Sequence, residues 1–136
     1  MSASVARAAS ERLLLDTHVF LWWQQASRML PPDVARRIAE ADRVYVSIAT
    51  AWELAIKVAS GKLRSGESFV EAMEVNRFGL LPITLDHVDA VAALPVPTRH
   101  RDPFDRMLIA QAVYEGLTVV THDSAFGEYP VPVLWA

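Results

Sequence analysis

The sequence predicts an α/β fold with helices covering both faces of a central parallel sheet, and three observations predict it. Short aliphatic or β-branched runs alternate with stretches whose apolar residues recur at helical spacing. Start and stop signals punctuate that alternation: proline in two first turns, Ser47 at another start, and Gly61 and Gly116 at two ends. The 136 residues, 52% hydrophobic and 21% charged, suffice for one domain that buries roughly 70% of the surface of the unfolded chain. Right-handed crossovers would put every strand's carboxyl end on one edge, where such sheets bind their ligands.

The run at residues 12–15 ends in Asp16-Thr17, and Val19, Phe20, Trp22 and Trp23 behind it predict a strand feeding a helix. Pro31-Pro32-Asp33 opens a short helix over 34–41, and Val44-Tyr45-Val46 is a second strand. Ser47 is an N-cap for a helix whose apolar positions Ile48, Trp52, Ala55, Ile56 and Ala59 form the expected buried stripe, with Glu53 on its border. A helix carrying Phe69, Val70 and Met73 is expected to begin at Ser65-Gly66-Glu67, followed by a strand at 80–83 and a helix at 86–94. The polar loop 98–102 runs into Pro103 and a helix over 104–115, then strands at 117–120 and 131–135. Residues 1–11 lack the apolar middle of a secretory signal and are expected to be a flexible N-terminal extension to a domain spanning 12–136. No apolar run approaches a membrane span, so the expected address is cytoplasmic.

Cysteine is absent, which excludes disulfides and thiolate zinc sites and leaves carboxylates and histidines as metal ligands. Hard cations, Mg²⁺ or Mn²⁺, then lead. His18, His87, His100 and His122 show no zinc-protease grouping, and no phosphate-loop, dinucleotide or nucleophile-elbow motif is present. Four acids stand at element ends: Asp16 and Asp123 directly after strands, Glu53 inside the helix after a third, and Asp105 in the first turn of its helix. Buried carboxylates are costly without a partner, so together they suggest a shared cation. Each also has a local reading. Asp16, Asp102 and Asp123 suit helix N-caps, and Glu53 could pair with Lys57. Asp105 aligns with Ile109, Ala112 and Val113, the expected buried column of its helix. Arg99, Arg101 and Arg106 form a basic group suited to phosphate contacts, or else a solvated loop. The formal charge of −3 argues against a polyanionic partner, but neutralising the four acids would leave +1, so charge does not decide.

The segments from Leu14 to Trp22, from Ser47 to Lys57 with Gly61-Lys62-Leu63, from His100 to Ala112, and Val119-Val-Thr-His-Asp123 resemble the PIN-domain ribonucleases, specifically the VapC-type toxins of VapBC toxin-antitoxin pairs. The resemblance implies a three-layer α/β/α sandwich, with Asp16, Glu53, Asp105 and Asp123 matching the acidic quartet. It also implies a Mg²⁺-dependent endoribonuclease, a VapB- or Phd-like antitoxin that covers the acidic pocket, and a homodimer. Two alternatives stay open. One is a catalytically degenerate domain that only binds its partner. The other, a Mg²⁺-dependent phosphotransfer or phosphatase domain, is disfavoured because His18 stands where a phosphatase needs the second acid of Asp-x-Asp.

Overall fold

The computed structural model describes residues 11–64, 68–96 and 102–136. Its elements are β1 (Arg12–Leu15), α1 (Thr17–Gln24), α2 (Pro32–Glu40), β2 (Arg43–Ser47), α3 (Ile48–Ala59), α4 (Phe69–Asn76), β3 (Gly79–Leu81), α5 (Leu85–Ala93), α6 (Pro103–Glu115), β4 (Thr118–Thr121), a 3₁₀ turn (Ser124–Glu128) and β5 (Val133–Trp135). Every strand pairing is parallel and the order is β3-β2-β1-β4-β5. The α/β class and the all-parallel sheet therefore hold. Residues 65–67, the expected start of α4, and 97–101, with His100, Arg99 and Arg101, lie outside the described residues, as do residues 1–10.

Alternation along the strands builds a core on each face of the sheet. Leu13, Leu15, Val46 and Val120 point to one side, where they meet Val19, Phe20, Val34, Ile38 and Met73 from α1, α2 and α4. Leu14 and Val119 point to the other, against Leu108, Ile109 and Ala112 of α6 and Phe126 of the 3₁₀ turn. Helix α3 touches both, through Leu54 on the first and Ala49 on the second. It closes the end of the sandwich rather than lying in one layer.

Local chemistry sets the helix ends. Ser47, Ser68, Thr84 and Asp102 accept N-terminal amide protons of α3, α4, α5 and α6. Gly116 ends α6 at φ 71°, a conformation that a side chain would strain. The expected buried stripe of α3 is corrected. Trp52 is 60% exposed, Ile56 46% and Ile48 37%, while Ala49 and Thr50 are buried and Glu53, Leu54 and Lys57 half-buried. Helical spacing identified a stripe but not which way it faces, and here the face with the polar ridge packs inward. In α6 the expected column holds at Ile109 and Ala112 but not at the exposed Val113, because residues 108–112 are all buried in succession.

One buried polar network ties these layers together. The Ser47 hydroxyl donates to Gln111 Oε1, and Gln111 Nε2 donates to the Pro82 carbonyl at 3.3 Å. The Thr84 amide donates to His87 Nδ1 at 3.0 Å, so that nitrogen carries no proton and Nε2–H donates to Glu115 at 2.8 Å. His87, fully buried, thus pins α5 to α6 while also completing the cap of α5. His87→Ala is expected to destabilise the fold by about 2–4 kcal/mol through the cavity and the orphaned donors, measured as a shift in urea midpoint with unchanged slope. A shift worth less than about 1 kcal/mol would mean that water replaces the ring at no cost.

Candidate active site

The strand order turns back between β1 and β4. Chain travel runs outward from β1 through β2 to β3, then resumes on the opposite side of β1 with β4 and β5. Neighbouring crossovers therefore leave in opposite directions, and the gap at the carboxyl ends of β1 and β4 is a natural crevice. Asp16 follows β1 there, and its amide donates to the Val120 carbonyl of β4 at 3.0 Å. Asp123 follows β4.

Asp16 is buried and its two oxygens have separate tasks. Oδ1 caps α1 by accepting from the Val19 amide at 2.8 Å, and Oδ2 accepts from the Thr121 hydroxyl. Thr121 Oγ1 in turn accepts the Asp123 amide proton at 3.0 Å, while Asp123 Oδ1 caps the 3₁₀ turn through the Ala125 amide at 2.9 Å. Capping and convergence on the crevice therefore coexist for both acids. Burial pushes the Asp16 carboxyl above its ordinary value, the hydrogen bonds from Thr121 and Val19 and the nearby His18 oppose the shift, and Asp123 adds the smallest contribution in the upward direction.

Glu53 reaches the same edge from α3. Its Oε1 accepts from the Thr17 hydroxyl at 2.7 Å, and its Oε2 lies 3.5 Å from Lys57 Nζ. The helical pair with Lys57 therefore forms, but Glu53 also contacts the residue directly after Asp16. Asp105 is half-buried in the first turn of α6, with its amide bonded to the cap Asp102 at 3.0 Å. An edge-to-face contact between Trp52 and Phe104, centroids 5.0 Å apart, holds that turn against α3 beside Glu53. Among the described residues no three His, Asp or Glu side chains already surround one point closely enough to hold a metal ion.

Arg106 donates to the carbonyls of Pro95 and Val91, at 2.8 and 3.4 Å, and to the Tyr129 hydroxyl at 3.2 Å, with its guanidinium over the Tyr129 ring. It braces the start of α6. Sequence reasoning passed over Thr121, whose hydroxyl links Asp16 to the Asp123 turn, and Thr17 and Thr50, whose hydroxyls hold Glu53. The available signal was position: Thr17 directly follows one acid and Thr121 stands two residues before another.

Over residues 13–132 the sequence matches the family of the PIN domain. This chain belongs to the PIN domain family. The PIN domain is 27% identical over 117 residues to Ribonuclease VapC22 of Mycobacterium tuberculosis, covering 82% of this chain and 86% of that protein. Its fold is similar to that of a chain in VapBC2 of Rickettsia felis, solved with a DNA fragment from the promoter, at a TM-score of 0.70 and 13% identity, covering 92% and 98% of the two chains. DNA-bound VapBC from Salmonella typhimurium gives 0.61 at 17% identity, covering 91% and 97%. No helix among the described residues is long and apolar enough to cross a membrane.

The raised pKa of Asp16 fixes a pH dependence. Below the ordinary value of 3.8 the carboxyl is protonated in folded and unfolded chains alike. As pH rises the unfolded chain releases its proton first, so folding loses stability until the higher folded pKa is passed, and the deficit then stays constant. With EDTA present, Asp16→Asn is expected to melt higher than wild type at pH 7, with the gain vanishing in the acid range below 3.8. Differential scanning fluorimetry against pH would show it, and a gain that does not change with pH would contradict burial as the cause.

Proposed function

We propose that this PIN domain is a metal-dependent endoribonuclease acting as the toxin of a type II toxin-antitoxin pair. The observation that carries the reading is Asp16: a buried carboxylate at the switch point, linked to the Asp123 turn through the Thr121 hydroxyl, with that hydroxyl and a backbone amide as its hydrogen-bond donors. Among the described residues it has no lysine or arginine ion pair. Such a pair of acids gains by sharing a divalent cation.

The donor set is oxygen only, which suits Mg²⁺ or Mn²⁺. Asp16 and Asp123 would hold the principal ion, with Glu53 and Asp105 positioning water or a second ion. Bound there, the cation would neutralise nonbridging phosphate oxygens and lower the pKa of the attacking water. The chain itself keeps Asp16 and Asp123 oriented through Thr121 and holds the Glu53 carboxylate at the same edge through Thr17. Attack by water that leaves a 5′-phosphate and a 3′-hydroxyl is the expected outcome. Arg99 and Arg101 are proposed to contact RNA phosphates, whereas Arg106 is occupied as a brace.

The relatives support the class. VapC22 is named a ribonuclease, and the similar folds come from VapBC complexes. The antitoxin is assigned to the groove of about 610 Å³ between α1, α3 and α4, lined by Phe20, Leu21, Leu54, Val58 and Phe69, which borders the helix of Glu53. A basic segment beside it would suit the acidic edge. The exposed stripe Ile48, Trp52 and Ile56 runs along one helix, so a second copy can cover it across a two-fold axis. The cytoplasm, where RNA is met, is the proposed compartment.

Asp16→Asn is expected to keep the fold and lose about 10²- to 10³-fold of Mg²⁺-dependent cleavage of total RNA, with wild-type products carrying 5′-phosphates by mass spectrometry. That among the described residues no three acids yet surround one point favours a rival, a domain that only binds its partner. Calorimetry decides between them: wild type that takes up no Mn²⁺ and cuts no RNA with Mg²⁺ establishes the rival. Ile56→Glu, which spares the Trp52–Phe104 contact, is expected to convert the dimer to a monomer in sedimentation with the far-ultraviolet circular dichroism unchanged, and a wild-type monomer would refute the two-fold contact.

A further inference from the structure

We propose that Thr17, backed by Thr50, is a positioning residue that commits one oxygen of Glu53 and leaves the other for a cation. The inference rests on the metal-dependent reading above and goes beyond it in naming how Glu53 is aimed. Thr17 Oγ1 lies 2.7 Å from Glu53 Oε1 and 3.2 Å from Thr50 Oγ1. A carboxylate can only accept, so the single Thr17 proton is spent on Glu53, and the Thr50 hydroxyl must be the donor to Thr17. The three groups form a one-way chain, Thr50 to Thr17 to Glu53.

Burial gives that direction its force. Thr17 is 5% exposed and Thr50 1%, so neither hydroxyl can turn to bulk water without leaving its partner unsatisfied. Thr17 is also the first residue of α1, immediately behind the Asp16 cap, whereas Thr50 and Glu53 sit one turn apart on α3. The hydroxyl chain thus fastens the helix of one acid to the helix of another across 36 residues of sequence. Oε1 is taken. Among the described residues the ion-pair partner of Oε2 is a partly exposed ammonium, Lys57 at 3.5 Å, which a divalent cation would displace at little cost. A freely rotating Glu53 would instead present either oxygen in any direction, and metal affinity falls when a ligand's orienting partner is lost.

The test uses the full chain carrying Thr17→Val, which keeps shape and removes the hydroxyl, and Thr17→Ser, which restores it. Thr17→Val is expected to weaken Mn²⁺ binding by calorimetry about tenfold and to lower kcat on RNA comparably with KM within about twofold, while Thr17→Ser recovers both. Lys57→Met is expected to tighten Mn²⁺ binding. In metal-free protein, melts of Thr17→Val, Glu53→Gln and the double variant should be non-additive. Additive melts, Mn²⁺ affinity unchanged by Thr17→Val, or Thr17→Ser as impaired as Thr17→Val would each overturn the proposal. If wild type neither binds Mn²⁺ nor cuts RNA, the nuclease reading fails by itself, and the metal-free cycle still decides whether Thr17 aims Glu53.

Discussion

Everything at the candidate site depends on one crowded place, the crevice between the carboxyl ends of β1 and β4, where Asp16 is buried. A parallel sheet covered on both faces leaves its strands apolar along their length, so polar groups collect where the strands end. Asp16 is satisfied there only because two elements contribute at once: the first turn of α1 supplies an amide and β4 supplies the Thr121 hydroxyl. The Thr121 oxygen then fixes the turn that presents Asp123. Folding buries the Asp16 carboxyl, which disfavours its charged form, and such perturbed acids are of the kind that functional sites retain and a bound cation would stabilise.

Helix α3 answers to the same place. Its apolar ridge would be the natural face to bury, yet Thr50, Glu53 and Lys57 lie on the inward side and Trp52 and Ile56 face out. The reversal becomes intelligible when Glu53 is considered. Turning the helix to hide the tryptophan would carry Glu53 away from Thr17 and the edge. The chain keeps the acid in and leaves about one helix face of apolar side chains exposed to solvent.

The His87 network plays the complementary role away from the acids. Ser47 caps the helix that bears Glu53 and bonds Gln111 of the helix that bears Asp105, so the two helices share a fixed point inside the second core. Arg106 adds a further brace where α6 begins. Rigid elements, rather than loops, thus carry the acids on α3 and α6, and geometry at the edge inherits the stiffness of the core.

The sequence by itself determined the alternation of strands and helices, their capping residues and the parallel arrangement, because these follow from local periodicity and from cap chemistry read over a few residues. It also picked out the acids, since a carboxylate at the end of an apolar run is conspicuous without any coordinates. Tertiary structure alone decided the rest. Which face of α3 turns inward depends on what α1 offers across the gap, and periodicity is blind to a partner 36 residues away. The hydroxyls of Thr17, Thr50 and Thr121 carry no charge pattern and gain meaning only from the atoms they meet. Arg106 looked like a phosphate ligand because its neighbours in sequence are basic, but its guanidinium is spent on carbonyls that folding alone brings within reach.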